Sequence, residues 1–257
     1  MENNRGGDIE MLGDRAVTER GTGSLFASPD KPAKTKAIQP AAVRAKIREV
    51  RLHLYLGMPQ TVQEYMNFLD YSWDKTGFGP FGSMGVDLTP LEDKKNGVEA
   101  FRKSLMYPGT IAVYMGHTSL TRVRDKMFVA TALAPGGSKN PTLRNSELVA
   151  VLGKAKANIV ILAGCSTDSC LSKPVKNDAI VITTASGKDG VTNSANWARA
   201  IASFLLALVG WDFDGKTVTH RADGTATVNE AILASNKLFP KGDSFVLASG
   251  NGNIREF

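Results

Sequence analysis

Ile159-Val160-Ile161-Leu162-Ala163-Gly164-Cys165 is a short, near-continuous apolar run, and Ile111-Ala112-Val113-Tyr114-Met115-Gly116-His117 is its counterpart. Runs of β-branched and apolar residues of this length read as strands buried on both faces of a parallel sheet. Each run closes on a glycine and then on a side chain able to do chemistry. In open α/β sheets, ligands bind beyond the carboxyl ends of the strands. If the two strands are neighbours, an imidazole and a thiol face one cleft, a base beside a nucleophile.

The flanking sequence supplies the other layers. Val50 to Leu56 alternates and predicts a first strand, and a second is expected near Gly85 to Pro90. Apolar spacing predicts helices over Pro59 to Trp73 and Gly97 to Met106, with Val98, Phe101 and Leu105 on one face of the latter. A short helical stretch is expected over Ala41 to Glu49, opened by Pro40. The glycines of Gly77 to Gly85 mark a loop. Residues 118 to 140 read as a long connection with a hairpin-like middle at Lys126 to Leu133. Asn145 or Ser146 can cap a helix running to Lys154. Further on come a strand over Ala179 to Thr184, a loop over Ala185 to Ser194, and helices over Ala195 to Val209 and Thr227 to Leu238. Ser244 to Ala248 reads as a last strand. The alternating order predicts an α/β fold with a mostly parallel central sheet and helices on both faces.

Length and composition bound the function. The chain has 257 residues, 42% of them hydrophobic and 22% charged, ordinary values for a soluble protein. Residues 1–38 are rich in Gly, Ser, Pro and charge and read as a disordered tail, leaving 39–257 as the folded domain. No apolar run reaches the ~20 residues of a membrane span. Met1 to Leu12 lacks the apolar core of a signal peptide, so a cytoplasmic location is expected. The net charge of +6 owes much to Lys31, Lys34, Lys36, Arg44, Lys46, Arg48 and Arg51. No nucleic-acid motif accompanies that charge, and it reads as a solvated tail and helix end. Cys165 and Cys170 are the only cysteines. Two cysteines in a reducing compartment make no disulfide framework, and a Cys-x4-Cys pair is too few ligands for zinc. No Gly-x-Ser-x-Gly motif is present, and the stretch Gly210 to Lys216, which matches Gly-x-x-x-x-Gly-Lys, follows a predicted helix rather than a strand, which argues against an α/β hydrolase or P-loop protein.

The His precedes the Cys by 48 residues, close to the caspase spacing of about 50. On this spacing and order the chain resembles the caspase-like cysteine peptidases, the caspase–hemoglobinase fold. Leu162-Ala163-Gly164-Cys165-Ser166-Thr167 is most similar to the Leu-Ser-Ala-Cys-x-Thr stretch of CHAT-type members, and the resemblance covers roughly residues 48 to 240. It implies a cysteine endopeptidase with Cys165 as nucleophile and His117 as base and acid. The substrate would be a protein or peptide, and no metal or cofactor is needed. Backbone N–H groups of Cys165 and Thr118 would hold the oxyanion, with Gly116 and Gly164 shaping the cleft. Thr118 replaces the glycine that usually follows the family's His, and Ser166 replaces the one that follows its Cys. Ala163 stands where caspases carry Gln and metacaspases Asp. Asp168, Ser186 and Asp189 would line the substrate pocket, the two carboxylates favouring Lys or Arg before the scissile bond, whereas Arg122 or Lys188 would favour an acidic residue. The linker Ser166 to Asp178 is 13 residues long, which implies a single-chain enzyme. Regulation would then come from the tail, a partner protein or dimerisation. The competing expectation is a catalytically weak pseudo-enzyme or binding module on the same fold.

Overall fold

A computed structural model describes residues 44–54, 80–91, 97–123, 127–134, 141–171, 175–186, 194–239 and 243–257. Its centre is a six-stranded sheet made of β1 (Glu49–Leu54), β2 (Asp87–Leu91), β3 (Thr110–Met115), β7 (Ile159–Ala163), β8 (Ile180–Ala185) and β11 (Ser244–Ser249), in the order β11-β8-β7-β3-β1-β2. All neighbours run parallel except β11, which pairs antiparallel with β8. The strand order turns at β1, with β2 on one side and β3, β7, β8 and β11 on the other. A reversal of this kind leaves a crevice at the carboxyl ends of the strands.

Four helices lie among the described residues, here α1 (Gly97–Ser104), α2 (Asn145–Leu152), α3 (Ser194–Leu208) and α4 (Val228–Asn236). Strand periodicity sorts the core into two layers. Val50, Leu52, Ile111, Val113, Ile159, Ile161 and Ile182 pack with α3 and α4. Ala112, Tyr114, Val160, Leu162 and Val181 pack with Val98, Phe101 and Leu105 of the α1 segment and Leu148 and Leu152 of α2. β3 and β7 are buried along their whole length because both faces are covered. The expected α/β architecture, with helices on both faces, is what the chain forms.

The helix ends have local causes. At α4, Thr227 Oγ1 accepts from Glu230 N at 3.3 Å while the Glu230 carboxylate accepts from Thr227 N at 2.7 Å, a reciprocal capping box. α2 begins at Asn145, one place after its cap residue Arg144, whose N–H is bonded by the Glu147 carboxylate at 3.3 Å. Asn145 spends its amide on Ala130 O at 2.9 Å instead of capping.

One expectation needs correction, and two hairpins go beyond what was expected. The segment before β1 is not helical: residues 44–48 carry no regular structure and Glu49 already belongs to β1. Tertiary hydrogen bonds override local propensity there. Arg48 N donates to Gly109 O at 2.8 Å, Asp87 N donates to Arg48 O at 2.8 Å, and Asn158 Nδ2 donates to Ala45 O at 2.7 Å. The long connection is a full hairpin, β4 (Thr118–Val123) against β5 (Met127–Leu133), with β6 (Leu143–Arg144) added to β5. A second small hairpin, β9 (Trp211–Phe213) with β10 (Val218–His220), was not expected. The expected helix over Pro59 to Trp73 and the tail over residues 1–38 lie outside the described residues. No helix among the described residues is long and apolar enough to cross a membrane.

Candidate functional site

The register of β3 on β7 sets Met115 opposite Ala163 at the carboxyl end of the sheet. One more backbone bond, Gly116 N to Ala163 O at 3.0 Å, carries the pairing past the strands proper. His117 and Cys165, each two residues beyond the matched Met115–Ala163 pair, therefore emerge at one end of two adjacent strands. The expectation that these two strands are neighbours holds.

Their settings differ. His117 is exposed, and its ring makes no hydrogen bond to a described residue. Its backbone is fixed, because His117 O accepts from Tyr114 Oη at 2.5 Å and from Ala134 N at 2.9 Å. Cys165 is half-buried, outside any disulfide, and packs against the core layer of α3 and α4.

Thr118 opens β4 with both branches of its side chain turned onto the end of β7. Oγ1 donates to Cys165 O at 2.7 Å. Cγ2 would lie 3.0 Å from a Cβ placed on Gly164, and Gly116 O would lie 2.9 Å from it. The bulk of this β-branched residue is directed at Gly164, where the missing side chain leaves room. Gly116 and Gly164 are both buried.

The turn after Cys165 is unusual. Ser166 has φ 51° and ψ 36°, making it the one described non-glycine residue with positive φ. Left-handed backbone is disfavoured for L side chains and tends to mark functional turns. Ser166 N donates to Ser186 Oγ at 2.8 Å, and Ser166 O accepts from Ser169 N at 3.1 Å and Ser169 Oγ at 2.7 Å. Thr167, buried, inserts its hydroxyl between the diverging strands. It donates to Leu162 O at 2.5 Å and accepts from Thr184 N at 2.8 Å, just past the last β7–β8 pair. Thr167 was not among the residues expected at the site; its place in the stretch around Cys165 was the only signal.

Of the pocket residues, Ser186 lies at the site through its bond to Ser166. Asp168 is on the exposed side of the 3-10 turn Thr167–Cys170, its carboxyl pushed above the ordinary range by partial desolvation. Ala163 does not line an open pocket: it is fully buried on the α3/α4 side, as the alternation from Ile159 and Ile161 requires. Asp189 and Lys188 lie outside the described residues. Arg122 is exposed on β4. Cys170 is buried, its Sγ 3.8 Å from Ala130 O, and burial together with the Asp168 charge pushes its thiol up to about 12. No group of three or more His, Cys, Asp or Glu among the described residues could hold a metal ion. An open polar hollow of about 400 Å³, lined among others by Ser119, Thr131, Arg144 and Ser146, borders β4 to β6 and includes neither His117 nor Cys165.

Chemically, a half-buried thiol and an accessible imidazole at adjacent strand ends can serve a nucleophilic displacement. No family model matches the chain, and no curated protein matches it. Among solved structures, protein GSU0716 from Geobacter sulfurreducens is similar over 79% of this chain and 94% of its own, with 12% identity and a TM-score of 0.44.

Proposed function

We propose that the chain is a cysteine endopeptidase of the caspase-like type. The observation that supports this reading is the β3–β7 register, which pairs Met115 with Ala163, two residues short of His117 and Cys165, at the carboxyl end of a mostly parallel sheet. In the proposed reaction the Cys165 thiolate attacks the scissile carbonyl and forms a C–S bond. His117 takes the thiol proton and passes it to the leaving amine as the C–N bond breaks. Water, deprotonated by His117, then attacks the thioester, releasing the acid and restoring the thiol. Backbone N–H groups of Cys165 and Thr118 stabilise the tetrahedral oxyanion. The substrate is a protein or peptide, the chemistry uses no metal or cofactor, and the setting is the cytoplasm with a regulatory partner or the tail as control.

The test is cleavage of a proteome-derived peptide library by wild type and by Cys165→Ala, read by mass spectrometry. Cys165-dependent cleavage supports the reading and identifies the residue before the scissile bond. Equal peptide profiles from the two folded proteins would refute it. A second reading, a binding module on the same fold, is favoured by the solvent-facing His117 ring and by Thr118 beside the cleft. Peptide capture without cleavage is its signature.

A further inference from the structure

The peptide unit joining Cys165 to Ser166 is gripped at both of its polar atoms by side-chain hydroxyls. Its carbonyl accepts from Thr118 Oγ1 at 2.7 Å, and its N–H donates to Ser186 Oγ at 2.8 Å. The hydroxyls come from opposite flanks of β7. Thr118 follows β3, the neighbour on one side, and Ser186 follows β8, the neighbour on the other. The unit they hold leads directly into the left-handed Ser166. A glycine would occupy that conformation freely; here a serine is kept in it.

We infer that Thr118 and Ser186 are positioning residues for the Cys165 thiol, acting through the orientation of the Cys165–Ser166 peptide plane; the inference rests on Cys165 being the nucleophile. With that plane fixed, rotation about the Cys165 Cα–C bond is lost, and the thiol moves only by changing its own rotamer. The Cα–Cβ bond is then aimed by three strand ends rather than by one flexible turn. The second consequence concerns donors. Ser166 N–H is engaged by Ser186 and is therefore not the donor that would meet a developing oxyanion. Preorganisation of this kind matters because small errors in the placement of a reacting atom cost large factors in rate.

The experiment compares wild type with Thr118→Val, Ser186→Ala and the double variant, with Thr118→Ser and Ser186→Thr as hydroxyl-keeping controls. The first readout is the rate of iodoacetamide alkylation at Cys165 from pH 5 to 10, followed by peptide mass spectrometry, which needs no turnover. The second is kcat and KM on any peptide the library test identifies. Loss of either hydroxyl is expected to slow alkylation at neutral pH by about threefold, to move its pH midpoint upward, and to lower kcat about tenfold with KM within about twofold. The hydroxyl-keeping variants are expected to recover at least half of each loss. Wild-type alkylation rate and midpoint in a double variant that unfolds cooperatively would overturn the inference. Should Thr118→Val fail to fold, Ser186→Ala carries the same test alone. A wild type that cleaves nothing, with alkylation still dependent on both hydroxyls, would sink the peptidase reading and leave the clamp standing. Normal cleavage and alkylation in the double variant would do the reverse.

Discussion

Two of the chain's three histidines sit at opposite depths, one on β1 and one just past the end of its neighbour β3. His117, at the rim, is open to solvent with its backbone tied down. His53, on β1, is 1% exposed, bonded through Nε2 to Ser104 Oγ at 2.8 Å and edge-on to Phe101 at 5.5 Å. Burial, helped by the nearby Arg51 charge, lowers the His53 pKa to about 4, so that ring stays neutral across the working range. The two cysteines repeat the contrast. Cys165 is half-buried at the strand end, whereas the Cys170 thiol is pushed up to about 12 by burial. One pair of residue types therefore supplies both an inert interior and a candidate reactive edge. What separates them is burial and the neighbours each side chain meets, not the side chains themselves.

The strongest way to break this contrast is His117→Ala. If the rim imidazole is the proton carrier, kcat/KM falls by about 10³-fold, roughly 4 kcal/mol, within the range for a general acid–base group. Measured on the library-derived peptide, a loss below threefold would assign the role elsewhere. His53 should respond to pH through stability alone. Its folded pKa lies below its unfolded value of 6.5, so between these values the unfolded chain binds the extra proton. The stabilisation is complete above pH 6.5 and fades by about 3 kcal/mol as pH falls towards 4. Urea unfolding at a series of pH values should show this slope in wild type and a reduced one in His53→Gln; identical slopes would dismiss the buried-imidazole account.

Gly164→Ala probes the rim from the backbone. The added methyl would meet Gly116 O at 2.9 Å, a backbone atom with little freedom to move. A loss of about 2 kcal/mol in unfolding free energy is expected, together with slower alkylation of Cys165; unchanged values of both would show that the strand ends have slack. The smallest effect belongs to Tyr114→Phe, which touches both regions. Tyr114 meets Phe101 edge-on at 5.6 Å on the interior side and donates to His117 O at the rim. Removing the hydroxyl should cost about 1 kcal/mol and lower kcat less than tenfold, with the His53 pH slope retained. A changed slope would mean that rim and interior are not separable.

The legible parts of the fold were those governed by burial. β3 and β7 announced themselves because two covered faces demand unbroken apolar runs, and the order of strands and helices then gave the layers. β4 was hidden in Thr118-Ser119-Leu120-Thr121-Arg122-Val123, whose residues are exposed or half-buried and carry little apolar signal. β9 and β10, three residues each, are held by their pairing and by the Asp214 bonds to Lys216 N and Thr217 N, both at 2.8 Å, which no periodicity reports. At the candidate site, the approach of the β3 and β7 ends that carry His117 and Cys165 was legible because two buried parallel strands read as unbroken apolar runs. The grip of Thr118 and Ser186 on the peptide after Cys165 was not found, since it joins residues 47 and 20 positions apart through backbone atoms. Ala163 was misplaced for a related reason: motif position gave it a pocket role, while strand parity puts its methyl in the core.

Arg44, just ahead of β1, pairs with Glu256 at 2.7 Å and reaches the Asn158 and Asp178 carbonyls, while Asn158 Nδ2 meets the same Glu256 at 3.0 Å. Residues 44 and 257 are thus near enough to be spliced through a short linker, and the polypeptide could be reopened in the exposed turn at Ala222 and Asp223. Such a circular permutant would keep every strand neighbour while dispensing with all that lies upstream of Arg44.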